Sequence, residues 1–259
     1  MRLLVTNDDG IEAPGIHALA AALVDAGHDV AVAAPLTEMS GSGAAIGVMS
    51  AETDLIVARA NIPGRPDIEA YAVEGPPALA VMAARLGAFG AAPEMVASGI
   101  NPGHNTGRAM LHSGTVGAAL TAANFGVSAL AVSTGVGPEP AWATSCELAV
   151  AALDWLMEQP GKTVLNLNVP DVSLGALRGV RWAEPAPFGT VQATLVDMGD
   201  TRLRMTLRGT EVELAPNTDS ALVRAGYASV TIINGITSAE WAPVADHIER
   251  SAMKLGKAG

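Results

Sequence analysis

The chain has 259 residues, 49% of them hydrophobic and 3% aromatic, and a formal net charge of −11. This length is enough for one large α/β domain with a single core. The acidic balance argues against a nucleic-acid polymer or an anionic membrane as partner, because both are bound by clustered Lys and Arg. The single cysteine, Cys146, rules out an internal disulfide and a zinc-thiolate cluster. With no apolar run of about 18 residues and no signal-peptide pattern, we expect a cytoplasmic protein.

Apolar runs and amphipathic helical patterns alternate along the first two thirds of the chain. This alternation predicts an α/β fold with a mostly parallel sheet. Pro14 and Gly27 mark the two ends of the first predicted helix. The predicted strands are 3–6, 28–34, 55–58, 68–73, 95–98, 129–133 and 164–169, and the later predicted helices are 77–86, 114–125 and 142–157.

The pattern changes after Pro170. Polar and apolar residues alternate over 201–208, which predicts an antiparallel hairpin, and 228–233 is predicted to be a returning strand. A final helix is predicted over 239–253. We therefore predict one domain, with an α/β core in residues 1–170 and a hairpin and C-terminal elaboration in residues 171–259 that contacts other subunits.

Asp8 and Asp9 follow the first apolar run directly and are flanked by Asn7 and Gly10. Two adjacent carboxylates repel each other unless a cation lies between them. Since no Lys or Arg follows closely, the leading hypothesis is a site for Mg²⁺, Mn²⁺ or Ca²⁺. The alternative is a plain turn, because Asn, Asp and Gly are common turn formers.

Three other loops follow predicted strands and carry candidate residues. Asn101 either adds a neutral carbonyl ligand or only turns the chain, and His104 is expected to be solvated. The run Ser113-Gly114-Thr115 begins a helix, so it is either a phosphate cradle or a simple serine N-cap. Ser40 lies in a Gly/Ser-rich loop, where its hydroxyl either reaches the metal or belongs to a flexible segment.

Several common enzyme classes lack their signature motifs here. The sequence has neither a G-x-S-x-G elbow nor an H-E-x-x-H motif, so a serine hydrolase or a zincin is not supported. The glycines at 41–47 lie too far past their strand for a dinucleotide fingerprint.

The residues of these motifs, and their order along the chain, resemble those of the SurE family of metal-dependent 5′/3′-nucleotidases and acid phosphatases. The residues that carry the resemblance are 7–10 with 13–15, Ser40-Gly41, 98–107 and 113–116, with a fainter echo at 218–219 and 226–231.

The resemblance implies roles for individual residues. It implies that one divalent ion, Mg²⁺ or Mn²⁺ first and Ca²⁺ as an alternative, is held by Asp8, Asp9, Ser40 and Asn101. It implies that the phosphate is surrounded by Asn105, Ser113, Gly114 and Thr115. It also implies a Rossmann-like three-layer sandwich with a protruding hairpin, and C-terminal segments exchanged within a homodimer or homotetramer.

The chain departs from the family pattern at four places, one of which is the loop 36–39 before Ser40, where the basic residues often present in the family are missing. His112 stands where the family usually has Tyr, and Thr121 where it has Glu. The stretch Gly75-Pro76-Pro77-Ala78-Leu79-Ala80 replaces a Gly-Thr-Pro-x-Asp-Cys sequence. We expect the departures to affect the substrate pocket, while the metal-ligand set is intact.

The predicted reaction is hydrolysis of a small phosphate ester. Asp8 or Asp9 would act on the attacking water, and His112 is a candidate leaving-group acid because its unperturbed pKa is near 6.5. Three functions remain open: hydrolysis of nucleoside 5′- or 3′-monophosphates, hydrolysis of another phosphate ester in specialised metabolism, and binding of metal and phosphate without turnover.

Overall fold

Strands of small aliphatic residues form the centre of the fold, as the low aromatic content implies. The computed structural model describes residues 1–137, 140–187, 191–197, 203–209, 213–237 and 248. The strands are β1 (Arg2–Thr6), β2 (Asp29–Pro35), β3 (Val57–Ile62), β4 (Arg65–Val73), β5 (Met95–Pro102), β6 (Ser128–Thr134), β7 (Val164–Val169), β8 (Val180–Trp182), β9 (Val191–Asp197), β10 (Leu203–Gly209) and β11 (Ala228–Ile233). The helices are α1 (Pro14–Asp25), α2 (Pro77–Arg85), α3 (Gly114–Asn124), α4 (Trp142–Met157) and α5 (Asp219–Arg224), with 3-10 turns at Gly107–His112 and Leu174–Ala176.

The described residues form one nine-stranded sheet and a separate hairpin of β9 and β10. The sheet order is β3-β4-β2-β1-β5-β6-β7-β11-β8, and every pair from β4 to β7 is parallel. The pairs β3-β4 and β11-β7 are antiparallel. This confirms the predicted fold class.

Most predicted elements are confirmed, some with identical bounds. The bounds of α4, β7 and β11 are those predicted. The hairpin predicted over 201–208 corresponds to β10 alone, which pairs with β9 at 191–197. The final helix predicted over 239–253 lies outside the described residues, apart from Ile248. Strands β8 and β11 extend the sheet beyond residue 170, and the division of the domain at that residue stays a prediction. Among the described residues, no helix is both long and apolar enough to cross a bilayer.

Helices cover both faces of the sheet. Helices α1 and α4 pack on the face that carries Leu3 and Val5, called here the α1/α4 face. Helices α2 and α3 pack on the face that carries Leu4 and Val96, called here the α2/α3 face. Central strands are therefore buried on both sides, which is typical of parallel sheets.

The connection from β6 through α4 to β7 has an unusual hand. This connection and the connection from β5 through α3 to β6 both step one strand in the same direction along the sheet, but α4 and α3 lie on opposite faces. The connection from β1 through α1 to β2 steps one strand in the other direction, with its helix on the α1/α4 face. It therefore has the same hand as the β5-α3-β6 connection. The β6-α4-β7 connection therefore has the opposite hand, against a strong general preference for one hand. Consequently α4 does not cover β7 on the α2/α3 face.

The sheet reverses its order of growth at β1. The chain steps from β1 to β2 on one side and later places β5 on the other side of β1. Loops that leave the carboxyl ends of β1 and β5 diverge, and such a point forms a binding crevice in open α/β sheets. Asp8, Asp9 and Asn101 all lie at this edge.

Candidate active site

The side chain of Asn7 closes the turn after β1, so the side chains of Asp8 and Asp9 are not used to form this turn. The side chain of Asn7 accepts a hydrogen bond from the Gly10 amide at 3.2 Å and donates to the Gly10 carbonyl at 3.0 Å. The turn interpretation and the site interpretation of this segment therefore apply to different residues.

Asp8 is held firmly by the first turn of α3. Its side chain is buried, the Gly114 amide donates to its Oδ2 at 2.9 Å, and the Thr115 hydroxyl donates to its Oδ1. The positive end of the helix favours a negative charge at this position. We conclude that the side chain of Asp8 is fixed in place by α3.

Asp9 has the opposite environment. Its Oδ2 is buried and has no hydrogen-bond partner among the described residues. Burial, then the nearby charges of Asp8 and Glu38, raise the pKa of Asp9 to about 7. A buried carboxylate oxygen without a partner is costly, so this atom marks a place for a cation or a proton.

The loop after β2, which carries Ser40, contacts the turn that carries the two aspartates. The Met39 amide donates to the Asp8 carbonyl at 2.7 Å, which attaches the loop to the turn. The Ser40 hydroxyl donates to Glu38 Oε1 at 2.9 Å, and both residues are exposed. The charge of Glu38 acts on Asp9 from this loop, and the Ser40 hydroxyl points to Glu38 in this structure.

Two glycines of α3 allow this loop and Asp8 to approach the helix closely. A Cβ atom on Gly114 would lie 2.6 Å from both Asp8 Cβ and Ser42 Oγ. A Cβ atom on Gly117 would lie 2.1 Å from the Gly43 carbonyl oxygen. The loop that carries Ser40 therefore rests directly on the backbone of α3.

Asn101 presents its carbonyl oxygen to the same cluster. Its Nδ2 donates to the Gly103 carbonyl at 2.7 Å, which fixes the orientation of the amide. Its Oδ1 lies 3.4 Å from the Thr115 hydroxyl, which donates to Asp8. The structure thus brings together three of the predicted residues, Asp8, Thr115 and Asn101.

Ser113 and Asn105 have partners within the protein. The Ser113 hydroxyl accepts from the Val116 amide at 3.1 Å, so the N-cap interpretation is confirmed. The side-chain amide of Asn105 donates to Ser133 Oγ at 2.9 Å. Gly114 uses its amide on Asp8. The phosphate-binding roles of these residues stay predictions.

The donors at this edge fit a hard divalent cation. They are the carboxylates of Asp8 and Asp9, the amide oxygen of Asn101 and the hydroxyl of Ser40 in the neighbouring loop. Oxygen ligands of this kind suit Mg²⁺, Mn²⁺ and Ca²⁺. Across the described ranges, no three His, Cys, Asp or Glu side chains come together as a metal-binding group. A site here would therefore depend on the two aspartates and neutral oxygens.

The sequence matches a known family over most of its length. Residues 3–188 match the family described as "Survival protein SurE". The chain belongs to the SurE family. This confirms the resemblance found from the motifs.

Relatives named SurE cover nearly the whole chain. The "5'-nucleotidase SurE" of Xylella fastidiosa strain M12 is 35% identical over 244 residues, covering 90% of each chain. The "5'/3'-nucleotidase SurE" of Serratia proteamaculans strain 568 is 34% identical over 236 residues, covering 89% of each chain. The crystal structure of the SurE protein from Aquifex aeolicus has a TM-score of 0.80 at 25% identity, covering 96% of this chain and 100% of that chain.

The departures from the usual SurE pattern lie in different surroundings. His112 is exposed at the end of its 3-10 turn. Thr121 is buried, and its hydroxyl donates to the Gly117 carbonyl at 2.8 Å within α3. The stretch from Gly75 to Ala80 forms the start of α2, with Pro76 as its N-cap.

The expectation that His104 is solvated is wrong. The residue is half-buried, and its Nε2 donates to the Val169 carbonyl at 2.8 Å. Burial lowers the pKa of His104 below its ordinary value. The loop after β5 is therefore anchored to the end of β7.

Several residues at the site were not found from the sequence. Asn166 and Asn168 both donate to the Asn105 carbonyl, and Asp219 accepts from the Gly107 amide at 2.7 Å. One signal was available, because two asparagines alternate within the apolar strand β7 and face the same side. Asp219 belongs to the faint resemblance at 218–219, but no role was predicted for it, since its contact with Gly107 joins distant parts of the chain.

Proposed function

We propose that this SurE chain is a divalent-metal-dependent phosphomonoesterase that acts on nucleoside 5′- or 3′-monophosphates or similar small phosphate esters. The prediction that the chain is an enzyme is confirmed at the family level, because its curated relatives are named 5′-nucleotidases, which are phosphoric monoester hydrolases. The observation that carries the proposal is the Asp8–Asp9 pair, in which one carboxylate is fixed and the other has a free, buried oxygen.

One divalent ion, Mg²⁺ or Mn²⁺, would be held by Asp8, Asp9, Asn101 and Ser40. The ion would supply Lewis-acid polarisation of the phosphate and a more acidic bound water. Binding through Ser40 would require its hydroxyl to turn from Glu38, a rotation that an exposed serine makes easily.

The two aspartates would divide the remaining work. Both oxygens of Asp8 already accept hydrogen bonds, so its role is to hold position and charge. Asp9 has the free oxygen, and we assign to it the orientation of the attacking water and acceptance of its proton. Asn105 and the Ser113–Thr115 turn would bind phosphate oxygens, and the exposed His112 would protonate the leaving group.

The proposal also includes a homodimer or homotetramer. The apolar side chains of Trp155, Trp182 and Ile232 are 40%, 62% and 48% exposed, and all three line the same groove. Exposed apolar patches of this kind commonly mark subunit contacts. Sedimentation equilibrium would measure the oligomeric state, and a monomer at micromolar concentration would contradict the proposed assembly.

The cytoplasmic location stays a prediction.

The activity is tested by phosphate release from a substrate panel of p-nitrophenyl phosphate, nucleoside 5′- and 3′-monophosphates and sugar phosphates. Activity should disappear in EDTA and return with Mn²⁺ or Mg²⁺, and undiminished turnover in EDTA would refute metal dependence. A preference for sugar phosphates would favour specialised metabolism. Binding of phosphate without turnover would favour the non-catalytic alternative.

The same assay tests the aspartates. Asp8→Asn and Asp9→Asn should each reduce activity at least about a hundredfold, because each removes a charge from the metal site. Asp154→Asn is the matched control, since Asp154 is an exposed aspartate on α4, away from this edge. Circular dichroism would verify that all three variants are folded.

A further inference from the structure

Two asparagines of β7 bind the same main-chain carbonyl oxygen. Asn166 Nδ2 lies 2.8 Å and Asn168 Nδ2 lies 3.1 Å from the carbonyl oxygen of Asn105. Both asparagines are fully buried. They lie on the α2/α3 face of β7, where the loop after β5 and not α4 covers the strand.

The two asparagine side chains reduce the stability that a buried strand would otherwise gain from apolar residues. The other four residues of β7 are Val or Leu, and the Oδ1 atoms of Asn166 and Asn168 have no hydrogen-bond partner in the described part of the chain. Burying a polar atom without a partner costs free energy, which offsets much of the gain from the two bonds to Asn105. Their contribution is therefore to fix the position of Asn105 more than to stabilise the fold.

The fixed residue lies beside the predicted metal ligands. The side-chain amide of Asn105 donates to Ser133 Oγ, and Ser133 on β6 is the register partner of Asn101 on β5. Asn105 thus has its main chain tied to β7 and its side chain tied to β6, one strand from Asn101. With both its main chain and its side chain attached, the Asn105 amide has little freedom to rotate.

We propose that Asn166 and Asn168 are positioning residues that hold Asn105 in the orientation in which its side chain binds the phosphate of the substrate. This inference rests on the proposed function, in which Asn105 contacts that phosphate. Preorganised donors of this kind bind a ligand without a cost of ordering at the moment of binding.

The test uses Asn166→Leu and Asn168→Leu, because leucine is similar in size and cannot donate. Calorimetry of the Mn²⁺-loaded protein with inorganic phosphate should show affinity about five- to tenfold weaker for each variant, the loss of about one hydrogen bond. KM for p-nitrophenyl phosphate should rise by a similar factor while kcat changes less, and Mn²⁺ affinity should be unchanged. Asn168→Ser, which is too short to reach Asn105, replaces any leucine variant that does not fold.

Ser229→Ala is the matched control. Ser229 on β11 is the register partner of Asn168, and its buried hydroxyl has no partner among the described residues. Phosphate affinity should therefore stay at the wild-type value in this variant. A loss equal to that of Asn168→Leu would show a general effect of disturbing this face and would overturn the proposal.

A double-mutant cycle with Asn105→Ala separates positioning from a merely structural role. If Asn168 acts through the Asn105 side chain, Asn168→Leu should cause no further loss of phosphate affinity in the Asn105→Ala background. Additive losses, or wild-type phosphate affinity in Asn168→Leu, would overturn the inference. A wild-type protein that binds phosphate but hydrolyses no ester would refute the proposed function alone, since the cycle is measured by binding.

Discussion

Asp9 is the residue at which the proposed metal site and the stability of the metal-free protein make opposite demands. Its pKa is raised to about 7, so between about pH 4 and pH 7 the folded chain holds a proton that the unfolded chain has released. Stability of the metal-free protein must then fall as pH rises through this window. A carboxylate that destabilises the empty fold is expected where a cation is to be bound.

Asp9→Asn should therefore stabilise the metal-free protein at pH 8. In EDTA we expect the free energy of unfolding to rise by on the order of 1 to 3 kcal/mol, with a smaller difference at pH 5. Urea unfolding at both pH values measures this. Asp54→Asn, at an exposed aspartate in the loop before β3, should show no such pH-dependent gain. An Asp9→Asn protein less stable than wild type at pH 8 would contradict the expectation.

Residues adjacent in sequence to strand ends were predictable, and residues paired across strands were not. Asp8, Asp9 and Asn101 follow apolar runs, so a parallel sheet places them at one edge from pattern alone. Asn166 and Asn168 act on Asn105 from more than 60 positions away. Their contact with Asn105 depends on which segment of the chain covers β7, and the local sequence around β7 does not indicate which segment this is.

At the scale of elements, the contact between α3 and the loop after β2 determines the shape of the site. Gly117 permits this contact, because any side chain there would meet the backbone of Gly43. The same loop is attached to the aspartates through the Met39 amide. Displacing the loop from α3 would therefore move Ser40 and Glu38 away from Asp9.

Gly117→Ala should damage both stability and activity. A Cβ atom 2.1 Å from a carbonyl oxygen forces the loop or helix to shift, and such overpacking costs about 1–3 kcal/mol. Thermal unfolding and Mn²⁺ affinity would measure the two effects. Gly161→Ala, where a Cβ atom meets nothing within 4 Å, is the matched control and should be neutral.

The short helix α5 holds the loop that follows Asn105. Asp219 is fully buried and accepts hydrogen bonds from the amides of Gly107, Ala186 and Ser220, at 2.7, 2.9 and 2.7 Å. The Ser220 hydroxyl donates to Thr106 Oγ1 at 2.8 Å. Helix α5 was not predicted, because a six-residue helix carries too little periodic signal.

Asp219→Asn should lower stability by about 1–3 kcal/mol, because the new amide group faces backbone donors that need an acceptor. Since Gly107 follows Asn105 closely, we expect KM for phosphate esters to rise as well. Thermal unfolding and steady-state kinetics measure these effects, with Asp154→Asn as control. Unchanged stability would contradict the account of this buried carboxylate.

Over the whole molecule, charge opposes the proposed substrate. A protein with a formal charge of −11 repels a phosphate dianion at long range, and only a local cation reverses this near the site. Salt screens the long-range part most strongly. The composition alone predicted that the net charge of the protein opposes an anionic substrate.

The hand of the β6-α4-β7 connection could not be predicted. Hydrophobic periodicity locates α4 in the sequence but does not say on which face of the sheet the helix packs.

We expect kcat/KM for p-nitrophenyl phosphate to rise about two- to threefold between roughly 10 and 200 mM KCl, at saturating Mn²⁺. Turnover at saturating substrate should change little, because the effect acts on encounter. Initial-rate measurements across a salt series test this. A steady fall in kcat/KM with salt would show that attraction by the site dominates the field of the molecule.

The unusual connection through α4 has a consequence for biosynthesis. Because α4 lies on the opposite face, the loop near Asn105 covers the two asparagines of β7, and helix α5 contacts both this strand and that loop. A ribosome releases helix α5 only after most of the polypeptide has emerged. We therefore expect the nascent protein to pair the parallel strands from β1 to β7 early and to acquire catalytic competence last.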